Sequence, residues 1–161
     1  MVRNKIKNKI EIQKIVTDLR TKNPSIKIVS TNGAFDIIHR GHVSCLESAK
    51  KLGDYLIVGL NSDKSIKRYK SKDRPIIPQE DRAIILAGLS MVDFVVIFEE
   101  DDPRDLLKNI KPNIHVKSRS GYKGIEKEVV EENGGKIVLI DDIDGISTTQ
   151  IIDKIKKLPN N

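Results

Sequence analysis

The sequence predicts an α/β fold: a doubly wound, Rossmann-like parallel sheet of about five strands with helices on both faces, preceded by an N-terminal helix. Three observations predict it. Short Val/Ile/Leu-rich runs recur at 26–31 (IKIVST), 55–60 (YLIVGL), 94–98 (FVVIF), 114–117 (IHVK) and 136–140 (KIVLI), as expected of strands covered on both faces. Segments of helical periodicity separate them. Polar residues gather just after each run, at the carboxyl edge where such sheets bind ligands.

Each element has its own signal. Residues 4–22 place Ile6, Ile10, Val16 and Leu19 at near-helical spacing among Lys and Arg, and the pattern stops before Asn23-Pro24, so an amphipathic helix is expected there. Further helices are expected over 42–52, 63–69, 79–90, 103–110, 123–133 and 147–158. In the first of these Val43, Leu46, Ala49 and Leu52 form a stripe, with Gly53 as the stop. Pro103 suits a first helical turn. The basic stretch 64–75 (KSIKRYKSKDRP) reads as a mobile surface loop.

The 161 residues are enough for one domain with a core and no staples: a helix in 1–24 and an α/β core over 25–158. A single cysteine, Cys45, rules out an internal disulfide and makes a cytoplasmic setting the expectation. No stretch is apolar enough to span a bilayer, and the N-terminus lacks the apolar centre of a signal peptide. The formal charge of +6 favours anionic partners. Its basic residues do not alternate with aromatics as a single-strand-binding surface requires, so nucleic acid is not the expected partner.

The densest chemistry lies at 30–50, STNGAFDIIHRGHVSCLESAK, which holds two of the three histidines, His39 and His42. Metal binding, phosphate binding and plain turn chemistry all compete here. Gly33 and Gly41 allow close backbone approach to a ligand. A helix starting near Gly41 aims free N–H groups and a positive dipole end at the sheet edge, and two imidazoles there can donate to phosphate oxygens. Zinc would need further ligands that His115, within a strand, and Cys45, one helical turn on, do not readily complete. Ser147, Thr148 and Thr149 open the last helix, where Ser147 alone would serve as N-cap and the others suit a second phosphate. Arg82 could clamp phosphates bidentately. Lys67, Arg68, Lys70 and Lys72 add flexible positive charge, with Lys72 expected at the nucleotide.

Four blocks, TNGAFDIIHRGHV, LGDYLIVGLNSD, RPIIPQEDR and GISTT, closely resemble the cytidylyltransferase-like nucleotidyltransferases. Their order is most similar to the adenylyltransferase domains of ADP-heptose synthesis, with glycerol-3-phosphate cytidylyltransferases next. The resemblance covers nearly the whole chain. It implies a nucleoside triphosphate, ATP first, joined to a sugar or polyol phosphate, heptose 1-phosphate first, with release of pyrophosphate. The alternatives are a CTP-dependent glycerol-3-phosphate type, an FAD-synthetase-type adenylyltransferase acting on FMN, and a non-catalytic nucleotide-binding module on the same scaffold. It assigns catalysis to His39, His42 and Arg82. The nucleotide would contact Asn32, Gly33, Ala34, Phe35, Gly41, Asn61, Asp63, Lys72 and Ser147 to Thr149. The acceptor would contact Asp36, Lys117, Arg119 and Tyr122. Mg²⁺ would enter through the triphosphate with no protein ligand set, and relatives imply a homodimer. Where heptose-type relatives read VKGGDY, this chain has Val116-Lys117-Ser118-Arg119-Ser120-Gly121-Tyr122: an aspartate is lost, an arginine gained and a residue inserted, at the edge expected to set specificity.

Overall fold

A computed structural model describes residues 1–159; the last two residues of the expected domain lie outside it. The sheet has six strands, all pairings parallel, in the order β1-β4-β3-β2-β5-β6. They are β1 (Ile6–Lys7), β2 (Ile28–Gly33), β3 (Tyr55–Asn61), β4 (Phe94–Phe98), β5 (Ile114–Ser118) and β6 (Lys136–Ile140). The helices are α1 (Lys9–Lys22), α2 (Arg40–Lys50), α3 (Asp63–Tyr69), α4 (Gln79–Gly88), α5 (Arg104–Ile110), α6 (Lys127–Glu132) and α7 (Thr148–Lys156).

The additional strand corrects the expectation at the N-terminus. Residues 2–5 form a 3-10 turn, Ile6–Lys7 pair with Val95 and Val96, and the helix begins only at Lys9. Asn8 is the reason: its side chain accepts from Glu11 N–H while Glu11 accepts from Asn8 N–H, a reciprocal cap that fixes the helix start. Ile10 therefore points outward, 79% exposed, and Ile12 and Val16 carry the buried face.

Alternation along the strands separates two cores. Val29, Leu56, Val58 and Val95 pack under α2 and α4. Their neighbours Ile28, Ile57 and Val96 face α1 and α5 instead. Each strand is thus apolar on both sides, which explains the uninterrupted runs. Helix ends shift by a few residues from expectation. Leu52 and Gly53 follow α2, and Gly53 is small because a Cβ there would meet Lys27 O at 2.7 Å. The helix expected over 63–69 is α3, capped by Ser62, and it takes up half of the stretch 64–75 also expected as a basic loop. No helix among the described residues is long and apolar enough to cross a membrane.

Candidate active site

One cleft of about 520 Å³ lies across the carboxyl ends of the strands. Its floor is the β2–α2 turn. Phe35 holds a left-handed backbone, φ 43°, costly for an aromatic residue and retained because the ring is buried. Gly33 leaves room for it: a Cβ there would lie 3.2 Å from Phe35 Cε2. The Phe35 ring supports His42, with centroids 5.3 Å apart, and His42 stacks on His39 at 3.9 Å.

His39 is the N-cap of α2, its Nδ1 accepting from Gly41 N–H at 3.2 Å. That bond places the ring proton on Nε2 and makes His39 a neutral donor at its outer nitrogen. Gly41 permits the fold-back, since a Cβ would meet the His39 ring at 3.0 Å. Burial lowers the His39 pKa. His42 is depressed to about 4, first by burial, then by His39 and Lys70. Both imidazoles are therefore uncharged at neutral pH.

The start of α7 faces the same cleft. Ser147 accepts from Gln150 N–H and is the cap, and Thr148 Oγ1 donates to Ile37 O at 3.4 Å, tying this helix to the β2–α2 turn. Arg40 adds a second tie, donating to Asp144 O at 3.2 Å. Two helix starts thus open onto one space, each with backbone N–H groups unused within the helix, one of them taken by its cap side chain.

The cleft walls contain Asn32, Gly33, Ala34, Phe35, Gly41 and Asn61, with Lys117 and Ser147 to Thr149 further along. Six expected contacts, Arg82, Asp63, Asp36, Lys72, Arg119 and Tyr122, lie elsewhere or are otherwise engaged. Arg82 is fully buried: its Nε donates to Ile77 O at 2.8 Å, Nη1 to Ala34 O and to Asn61 O at 3.0 Å, and Nη2 to Asp63 at 2.7 Å. It ties the ends of β2 and β3 to α4 and holds Asp63 as well, so the donors expected to clamp phosphate are engaged within the protein. Asp36, 1% exposed, accepts from Arg74 Nε at 2.7 Å and from Ile76 and Ile77 N–H. Those bonds and Arg74 hold its carboxylate low although burial alone would raise it. Lys72 is exposed outside the wall, and Lys70 takes its place, its pKa lowered first by burial and then by Arg74. Arg119 pairs with Asp141 at 2.7 Å in solvent, and Tyr122 likewise lies off the cleft wall.

Cys45 lines the cleft with its thiol pKa raised by burial, so the reactive thiolate is disfavoured. His115 is wholly buried, Nδ1 2.8 Å from Ser30 Oγ, and belongs to the sheet. No group of three His, Cys, Asp or Glu among the described residues could hold a metal ion. Glu126 joins the wall with nothing in its spacing to mark it beforehand.

The cytidylyltransferase-like family matches residues 30–154, from β2 through the start and most of α7. This chain belongs to that family. Bifunctional protein HldE of Nitratiruptor sp. is 54% identical over 152 residues, 94% of this chain and 32% of that protein. HldE of Campylobacter concisus is 50% identical over 159 residues, 98% of this chain and again 32% of that protein. The chain thus spans about a third of the length of these curated relatives. Among solved structures, a lipopolysaccharide core biosynthesis protein from Thermoplasma volcanium superposes with a TM-score of 0.65 at 28% identity, covering 74% of this chain and all of that one. A pantoate-beta-alanine ligase from Francisella tularensis shares the fold alone, with a TM-score of 0.60 at 16% identity over 94% of this chain and 76% of that one.

Proposed function

We propose that this nucleotidyltransferase joins ATP, as its Mg²⁺ complex, to a sugar 1-phosphate, with heptose 1-phosphate as the acceptor, releasing pyrophosphate in the cytoplasm. The observation that carries the reading is the convergence of two helix starts, one bearing stacked neutral histidines and one bearing hydroxyls, on a single cleft. Similarity to the HldE proteins and to a protein of lipopolysaccharide core biosynthesis supports the heptose acceptor.

The chemistry needs no general base. The acceptor phosphate is largely dianionic at neutral pH, its second pKa being about 6. One of its oxygens attacks the α-phosphorus. The new P–O bond forms as the bond to the β-phosphate bridging oxygen breaks, and pyrophosphate leaves with that electron pair. In this reading His39 donates Nε2–H to the phosphate chain, and His42 donates beside it. The α2 and α7 N–H groups and Thr149 hold the remaining oxygens, and Lys70 and Lys117 offset negative charge. Alignment and charge neutralisation then supply the rate. Magnesium enters as part of the substrate: Asp36, Asp101, Asp102 and Asp141 are paired with Arg74, Arg68, Arg104 and Arg119, and no three His, Cys, Asp or Glu among the described residues group to hold a metal ion.

The test is pyrophosphate release with Mg²⁺, crossing ATP, CTP and GTP against heptose 1-phosphate, glycerol 3-phosphate and FMN. Release with ATP and heptose 1-phosphate is expected. Release only with CTP and glycerol 3-phosphate would replace both substrates, and silence with every pair would sink the reading.

A further inference from the structure

A short polar chain crosses the cleft wall between the two helix starts. Lys117 Nζ lies 3.1 Å from Asn32 Oδ1 and 3.4 Å from Glu126 Oε1. Glu126, 3% exposed, stands just before α6 and lines the cleft. Its second oxygen, Oε2, is buried and has no hydrogen-bond partner among the described residues. A buried carboxylate oxygen without a donor is unfavourable, and such an exception in a polar network calls for a partner.

The chemistry of that partner is constrained. A carboxylate repels phosphate, so the substrate part beside it is uncharged and carries a donor hydrogen. Its place is constrained too. From β2 the chain winds outward through β3 and β4 on one side, whereas β5 and β6 lie on the other. Lys117 therefore sits beside the reversal of strand order, where doubly wound sheets take a nucleotide, and an acidic side chain there is an acceptor suited to a sugar hydroxyl. Resting on the nucleotidyl-transfer reading above, we propose that Glu126, oriented by Lys117, accepts a hydrogen bond from a ribose hydroxyl and selects ribonucleotides over deoxyribonucleotides. Oε2 is itself covered, so contact with a hydroxyl requires the wall beside it to shift; Ser120, Gly121, Lys123 and Ile125 on the loop leading to Glu126 are exposed.

The test is calorimetric binding of ATP, 2′-deoxyATP and 3′-deoxyATP, with Mg²⁺ and no acceptor, to the parent protein and to Glu126→Gln. The parent is expected to bind ATP about tenfold or more tightly than one of the deoxy analogues, the range for a hydrogen bond to a charged group. Glu126→Gln is expected to bind all three within about threefold. Equal binding of the three by the parent overturns the proposal whether or not the variant folds, and so does a folded variant that still discriminates. A variant that keeps ATP affinity and discrimination but binds the sugar phosphate poorly overturns it in favour of an acceptor contact. If transfer proceeds without ribose discrimination, this inference fails alone. If ATP is discriminated but no acceptor yields pyrophosphate, the transfer reading fails and this one stands.

Discussion

Two cationic-looking motifs of this chain meet opposite fates. The H-x-G-H turn places its imidazoles on the cleft, uncharged and with an outer donor free. Arg82, from the R-P…E-D-R block, carries a permanent charge yet is wholly buried and directs its donors at Ile77, Ala34, Asn61 and Asp63. The difference teaches that a formal charge near a phosphate site need not act on phosphate. Arg82 bonds the backbone that shapes the site, whereas in the proposed reaction the histidines act at its surface by hydrogen bonding.

The sharpest way to break that contrast is Arg82→Ala. Removing it leaves Asp63 and three carbonyls without their donor, at a cost of about 3–5 kcal/mol, and a fall in melting temperature of about 10 °C or more is expected. If melting is unchanged while nucleotide affinity collapses, Arg82 is a ligand residue after all. His39→Ala and His42→Ala should show the reverse: pyrophosphate release about 10²–10³-fold slower, with melting displaced far less than by Arg82→Ala. Gly41→Ala tests the same turn without touching an imidazole. The added methyl contacts the His39 ring, so the rate should drop by about tenfold as an oriented donor is displaced, with the circular dichroism spectrum unchanged.

Acid pH sharpens the comparison from another side. The His42 pKa is lowered to about 4, by burial, His39 and Lys70, and that of His115 to about 3, by burial and Lys117. Both groups sit near 6.5 when unfolded. Below that value the unfolded chain binds more protons than the folded one, so stability is fully present above about pH 6.5 and declines as pH falls toward the folded values. Urea midpoints taken from pH 7.5 down to 5 should fall, and His42→Gln should flatten part of the slope. Arg119→Ala is expected to do least. Its ion pair is exposed, so a change of at most about 1 kcal/mol in stability is expected.

How much of this was legible in the sequence depends on whether the signal was local. Five strands, the helices between them and the gathering of polar groups at one edge follow from apolar runs and periodicity, because a doubly covered parallel strand leaves no other pattern. The pair Ile6–Lys7 was not legible, since two residues carry no period and their strand character comes from Val95 and Val96, nearly ninety positions away. At the site, the histidine turn and the hydroxyl cluster were legible because glycine, imidazole and hydroxyl are each near a helix start. Arg82 and Asp36 were named and then found to be engaged within the protein, since sequence shows a side chain's chemistry but not which partners fold meets it with first. Lys70 rather than Lys72 faces the cleft because α3 runs through Tyr69 and its last turn sets the direction of the next residue. Glu126 had no signal, as its partner Lys117 lies across an irregular loop of this chain's own.

That irregular loop is held by Asp141 and Asp142, which accept from Arg119 and from Ser120. The same two carboxylates directly follow β6, which pairs with β5 alone and so ends the sheet. An aliphatic strand with one unpaired side is a template for another chain to add to. Lys136 at its start and the two aspartates at its end bracket the KIVLI run with charge, the flanking arrangement that discourages edge-to-edge growth of such strands. The acidic pair thus acts as a gatekeeper against aggregation, and a substitution chosen only to free the loop for altered specificity would also weaken the protein's resistance to self-association.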